Sequence, residues 1–186
     1  MSFVFTLFLI FFTASIAVNI EWSILLYLCC PFLPIQYKLR RDFLIEYTKN
    51  IDIDLIIKED YGLKEFCKNV ANDLENRCSN YCYRVRIEQT AKFAKENGYD
   101  AFTTTLFVSP YQQHEKIKEI CEEMAQKYEI EFLYRDFRPG FRDGQNKARE
   151  LELYMQKYCG CVFSEEDRYS DKIQKDKNKF SNEREG

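Results

Sequence analysis

The 186-residue chain carries eight cysteines, and six of them fall in three close pairs: Cys29-Cys30, Cys78 with Cys82, and Cys159-Gly160-Cys161. Cysteines this close in sequence rarely reach disulfide geometry without strain. They suit a shared metal better, because a thiolate cluster draws ligands from several segments and glycine supplies unusual backbone angles between them. Cys78 and Cys82 lie four apart, so on a helix both thiols point the same way. Structural zinc prefers four ligands in pairs separated by two to four residues, a spacing that only Cys78 and Cys82 have. Six thiols exceed one zinc and suit an iron-sulfur cluster, with ligands left for a second iron or for redox work. Cys67 and Cys121 fall on helical faces and read as small buried hydrophobes. His114, beside Glu115 at the start of a polar helix, reads as a surface residue.

The net charge of -3 and a pI near 5.4 give no global positive field to attract phosphate. Any RNA contact is therefore local, and the candidate stretch runs from Arg135 to Arg149, where Arg135, Arg138, Arg142, Lys147 and Arg149 face only Asp136 and Asp143. A solvated loop with scattered basic residues is the competing reading.

Elements that could position these groups alternate along the chain. Ser23 to Cys30 is an apolar run stopped by Pro31, as in a buried central strand of a parallel sheet. Leu39, Phe43, Leu44 and Tyr47 recur at helical spacing, and residues 53–57 form a strand pattern before Leu63 to Leu74 turns helical again. Ile87, Ala91 and Ala94 line one face of a helix that ends at Gly98. Ala101 to Phe107 predicts a strand, Ser109-Pro110-Tyr111-Gln112 a helix start, and Ile117, Ile120, Cys121 and Met124 the buried side of that helix. A strand at 130–134, a loop around Pro139-Gly140 and Asp143-Gly144, and a last helical face of Leu151, Tyr154, Met155 and Tyr158 complete the pattern. Strands separated by helices predict an α/β fold with a mainly parallel sheet flanked by helices, whose ligand site lies beyond the carboxyl ends of the strands. Cys29, Cys30 and Asp136 fall on that edge.

The first 37 residues contain one charged residue, Glu21, and residues 3–18 are apolar apart from Thr6, Thr13 and Ser15. This length is near the lower limit of a spanning helix, but neither the basic start of a secretory signal nor a basic membrane flank is present. The sequence divides into an apolar N-terminal extension (1–22), a domain (23–164) and a charged tail (165–186).

Several motifs occur together in order: Cys82-Tyr83-Arg84-Val85-Arg86-Ile87-Glu88-Gln89-Thr90-Ala91, Phe102-Thr103-Thr104-Thr105-Leu106, Ser109-Pro110-Tyr111, Asp136-Phe137-Arg138 and the run from Tyr154 through Cys159-Gly160-Cys161 to Ser164. The ordered set resembles the cobalamin-independent epoxyqueuosine reductase family, the QueH type, from about Asp60 to Ser164 and more weakly back to Cys29. The resemblance implies a cytoplasmic iron-sulfur oxidoreductase that removes the epoxide oxygen of epoxyqueuosine in a tRNA anticodon by two-electron reduction, on a Rossmann-like (HUP-like) sheet. It implies Cys29, Cys30, Cys78, Cys82, Cys159 and Cys161 as metal ligands, expected to hold a [4Fe-4S] cluster with room for an additional iron. Asp136 and Tyr111 become candidate catalytic groups near the substrate, and Arg135, Arg138 and Arg142 candidates for the anticodon phosphates. An electron donor is required.

Three features depart from the family pattern, one of them the apolar extension from Met1 to Asn19 ahead of the expected first strand. Cys30 runs directly into Pro31-Phe32-Leu33-Pro34, where the family continues as Cys-Cys-Ala-Pro-Cys, so one helix-strand unit is expected to be missing from the sheet. Three residues separate Cys78 from Cys82 where the family has two, which on an α-helix rotates one thiol by about 100°. The alternative reading is a non-catalytic or decayed thiolate metal-binding protein, attached to a membrane through residues 3–18.

Overall fold

The computed structural model describes residues 15–18, 22–27, 34–51, 54–58, 62–152, 155, 158 and 161–182. Five strands form one sheet: β1 (Ser15–Val18), β2 (Trp22–Tyr27), β3 (Asp54–Lys58), β4 (Ala101–Thr104) and β5 (Glu131–Phe132), in the order β3-β2-β1-β4-β5. β2 pairs parallel with β3 and β4 with β5, while β1 is antiparallel to both β2 and β4. It follows that β2, β3, β4 and β5 all run one way and that β1 alone is reversed. This is the α/β arrangement with a mainly parallel sheet expected from the alternating pattern. β1 comes from the apolar extension, and the expected boundary after residue 22 falls inside the sheet, at the start of β2. Among the described residues no helix is long and apolar enough to cross a membrane.

The helices follow the apolar periodicity. α1 (Pro34–Ile51) buries Leu44 and Tyr47, and α2 (Leu63–Val70) buries Phe66 and Val70 four apart on one face. α3 (Tyr83–Glu96) buries Tyr83, Ile87, Ala91 and Ala94, and its end is closed by Gly98 at φ 73°, a left-handed conformation that glycine adopts without a Cβ penalty. α4 (His114–Tyr128) buries Ile117, Ile120, Cys121 and Met124, the face its sequence predicted. These faces of α3 and α4 close over Phe102, Leu106 and Phe107 to form one core. The ring of Phe102 lies 5.6 Å from Phe132, and that of Phe107 lies 5.9 Å from it, tying β4 to β5.

Several boundaries differ from expectation. α4 starts at His114, five residues after Ser109, because Ser109 spends its polar groups on a local turn: its Oγ accepts from Tyr111 N–H at 3.2 Å and its carbonyl from Gln112 N–H at 3.4 Å. β4 ends at Thr104, whose hydroxyl accepts from Leu106 N–H and starts the 3-10 turn Thr105–Val108. A helix, α5 (Phe141–Glu150), occupies the stretch expected to be a loop, with Gly144 and Ala148 as its buried contacts. The helix expected at 151–158 is interrupted at once by Glu152 at φ 52°, and Tyr154 lies outside the described residues. The charged tail forms α6 (Val162–Asn182).

Phe66 is fully buried and meets Tyr81 at 5.9 Å and Phe163 at 6.0 Å, so it joins α2, the segment before α3 and the start of α6. Phe66→Ala is expected to lower unfolding free energy by about 3–5 kcal/mol. Nothing lies within 4 Å of a Cβ at Gly98, so Gly98→Ala is expected to cost only the left-handed backbone strain of about 1–2 kcal/mol. Urea midpoints at constant slope measure both.

Candidate active site

Cys78 and Cys82 open and close a single π turn, Cys78–Cys82, that leads straight into α3, with the Tyr83 amide donating to the Cys78 carbonyl. An α-helix turns about 100° per residue, so the extra residue would carry one thiol about 100° around the axis from where a two-residue separation puts it. A π turn, closed by bonds five residues apart, advances only roughly 80° per residue, and four such steps end within about 30° of three α-helical steps. The extra residue is thus absorbed in the backbone, and the two thiols keep nearly the relation of the shorter spacing. Cys82 is buried, and Cys78 is half-buried and packs against the core.

Cys161 is 1% exposed and sits just before α6, where its carbonyl accepts from Glu165 N–H at 3.0 Å and Ser164 Oγ at 2.9 Å. Arg77 links this position to the π turn. Its Nη2 bonds Asp167 at 2.7 Å, its Nη1 donates to the Leu74 carbonyl at 2.7 Å, and its Cζ lies 5.7 Å from the Phe163 ring centre. Burial opposes the guanidinium charge, but the Asp167 hydrogen bond and the negative charges of Cys161, Asp167 and Cys78 outweigh it and raise its pKa. One cation therefore stands within electrostatic reach of two segments that carry candidate thiols. Soft sulfur donors and a buried Arg77 Nε–H without a partner fit an anionic thiolate-held centre. Among the described residues no three His, Cys, Asp or Glu side chains converge as a complete metal site. Cys29, Cys30 and Cys159 lie outside those residues, while Cys67 and Cys121 carry free thiols and burial pushes that of Cys121 up.

At the carboxyl edge of the sheet, the chain leaving β4 forms the Ser109–Gln113 turn and the chain leaving β5 passes through Tyr134 to Asp136. Tyr83, next to Cys82, hydrogen-bonds across to that turn: its hydroxyl donates to Gln112 Oε1 at 2.7 Å and accepts from the Gln113 amide at 3.5 Å. Asp136 is gripped by Arg138, whose Nε and Nη2 reach its two oxygens at 2.9 and 2.7 Å. That pairing holds the carboxyl at about 2, well below its usual range, so Asp136 is a carboxylate at neutral pH.

Behind it lies His114, the residue expected on the surface. It is 6% exposed, wedged edge-on against Phe107 at 4.8 Å and Tyr134 at 6.0 Å, with Nε2 3.7 Å from Asp136 Oδ1. Both ring nitrogens are buried without a hydrogen bond. The sequence hid this because the first turn of α4 is polar, and burial there comes from Phe107, after β4, and Tyr134, after β5. Tyr111 is 82% exposed, and its ring lies 6.0 Å from Phe141, next to exposed Arg142. Arg135 is exposed as well, with its guanidinium 5.7 Å from the Phe137 ring, and Arg138 faces Asp136.

An α/β sheet with thiols at the start of one helix and a carboxylate, a buried imidazole and arginines beyond its strand ends has the layout of a metal- or redox-dependent enzyme. The family model described as epoxyqueuosine reductase QueH matches residues 32–167. The chain belongs to the QueH family of epoxyqueuosine reductases. It is 33% identical to the epoxyqueuosine reductase QueH of Dehalococcoides mccartyi over 139 residues, 75% of each chain. It is 38% identical to that of Thermotoga maritima over 90 residues, 47% of this chain and 46% of the relative, and 32% identical to that of Helicobacter pylori over 141 residues, 69% and 38%. The matched regions thus span less than half the length of the last two relatives.

Because Arg138 is the main cause of its low pKa, Asp136 in the Arg138→Gln variant is expected to titrate closer to the ordinary 3.8, as followed by carboxyl NMR shifts. In the wild type the pair's stabilisation is complete above the unfolded value and is lost as pH falls through about 2.

Proposed function

We propose that this chain reduces epoxyqueuosine in tRNA to queuosine, using a thiolate-held iron-sulfur centre. The observation that carries the reading is the pair of thiols on the π turn, joined through Arg77 to buried Cys161, in a chain of this family. Cys29, Cys30, Cys78, Cys82, Cys159 and Cys161 would hold the centre, as a [4Fe-4S] cluster with room for a further iron. When bound, it supplies electrons one at a time and a Lewis-acidic iron for oxygen. The overall change takes two electrons and two protons, converts the epoxide to an alkene and releases the oxygen as water.

The chain's own groups handle the rest. Asp136, held ionised, accepts hydrogen bonds from the substrate and cannot donate the proton itself. His114 lies against its inner side, with Nε2 3.7 Å from Asp136 Oδ1, and its imidazole is placed to pass a proton to this edge. Exposed Tyr111 offers a ring on which an unpaired base can stack, with Arg142 and Arg135 nearby for phosphate. Arg138 reaches phosphate only by leaving Asp136. Free thiols and a tRNA substrate support a cytoplasmic protein, with an electron donor as its second partner.

Anaerobic reconstitution followed by mass spectrometry of nucleosides from epoxyqueuosine-containing tRNA tests the reading. Cys78→Ser, Cys82→Ser and Cys161→Ser are each expected to lose iron and sulfide together with conversion, whereas Cys121→Ala keeps both. Wild-type protein that takes up no iron, or that takes it up and leaves the nucleoside unchanged under reductant, sinks the assignment. His114→Asn is expected to keep its iron and to lose conversion about 100-fold.

A further inference from the structure

Arg77 immediately precedes Cys78 and is held from three sides, by the Leu74 carbonyl, Asp167 and the face of Phe163. These contacts occupy both terminal nitrogens. The third donor nitrogen, Nε–H, is buried and has no partner among the described residues. Buried polar groups are nearly always hydrogen-bonded, so a donor kept dry and unpaired there calls for an acceptor that the described residues do not supply. The surroundings say what kind. The guanidinium belongs to the residue next to one candidate ligand, stacks on a ring two residues beyond another, Cys161, and has a side chain only 15% exposed. Arginine suits this position because its fork can be pinned at two nitrogens while the third points elsewhere, and because its charge is permanent.

We propose that Arg77 is a positioning residue for the metal centre, donating its Nε–H to a cluster sulfide and favouring the reduced state by its positive charge. The proposal rests on the reading that the thiols hold an iron-sulfur cluster. Reduction adds a negative charge to an already anionic group, so a fixed cation beside it stabilises the reduced form more than the oxidised one. Asp167, Leu74 and Phe163 then serve to aim the guanidinium, and the start of α6 becomes part of the site without contributing a ligand.

The test is an EPR-monitored redox titration of the anaerobically reconstituted full chain, with iron and sulfide content measured on the same samples. R77Q is expected to retain iron and to show a midpoint lowered by about 59 mV, a tenfold change in the one-electron equilibrium. R77K keeps the charge but lacks the Nε–H, so its midpoint is expected between that of R77Q and the wild type. A cluster-loaded R77Q or R77K that titrates with the wild type overturns the proposal, and R77K decides alone if R77Q does not fold. A wild-type chain that binds no iron overturns the underlying reading as well, so iron content tells the two failures apart.

Discussion

The burial of one face of α3 fixes most of what the molecule can do. Ile87, Ala91 and Ala94 are at most 1% exposed between α4 and the residues of β4, and small side chains at two of these positions let the helix approach closely. The π turn with Cys78 and Cys82 continues from the same helix, so the thiols inherit the position of a packed element and not that of a loop. Tyr83, the first residue of α3, carries the constraint outward through its hydroxyl to the turn that bears Tyr111. Displacing α3 would therefore move the thiols and the exposed Tyr111 ring together.

Much of this was legible in the residues. Helical spacing located α1, α2, α3 and the buried face of α4, because those patterns record which side meets the core. The common direction of β2 through β5 followed from alternating elements, and it brings the ends of β4 and β5 to one edge. Boundaries were less legible where short polar side chains compete for backbone groups. Ser109 and Thr104 each close a local turn, delaying a helix in one case and cutting a strand short in the other. The hidden position of His114 was a matter of tertiary burial, which no local pattern reports.

The cysteine spacing teaches a related lesson. One additional residue between two paired thiols shifts their relation by about 100° when a regular α-helix is assumed. The backbone has a cheaper solution, a single wider turn at the point where the helix begins, and the cost is confined to one hydrogen-bonded ring. Side-chain geometry is preserved by giving up backbone regularity. The same trade appears at Asp136, where an exposed carboxylate is kept charged and oriented by a bidentate arginine two residues away.

β1 has a further consequence. It is four residues long, yet every hydrogen bond between the β2–β3 pair and the β4–β5 pair passes through it. Its partners in β4 lie more than eighty positions away along the chain, as in the pairing of Val18 with Ala101. Such a link forms only after a large loop has closed, so the two halves of the sheet are joined late in folding and at high entropic cost. During synthesis the strand that unites them emerges first and must wait for its second neighbour. Until then it is an apolar edge that chaperones or other chains can capture.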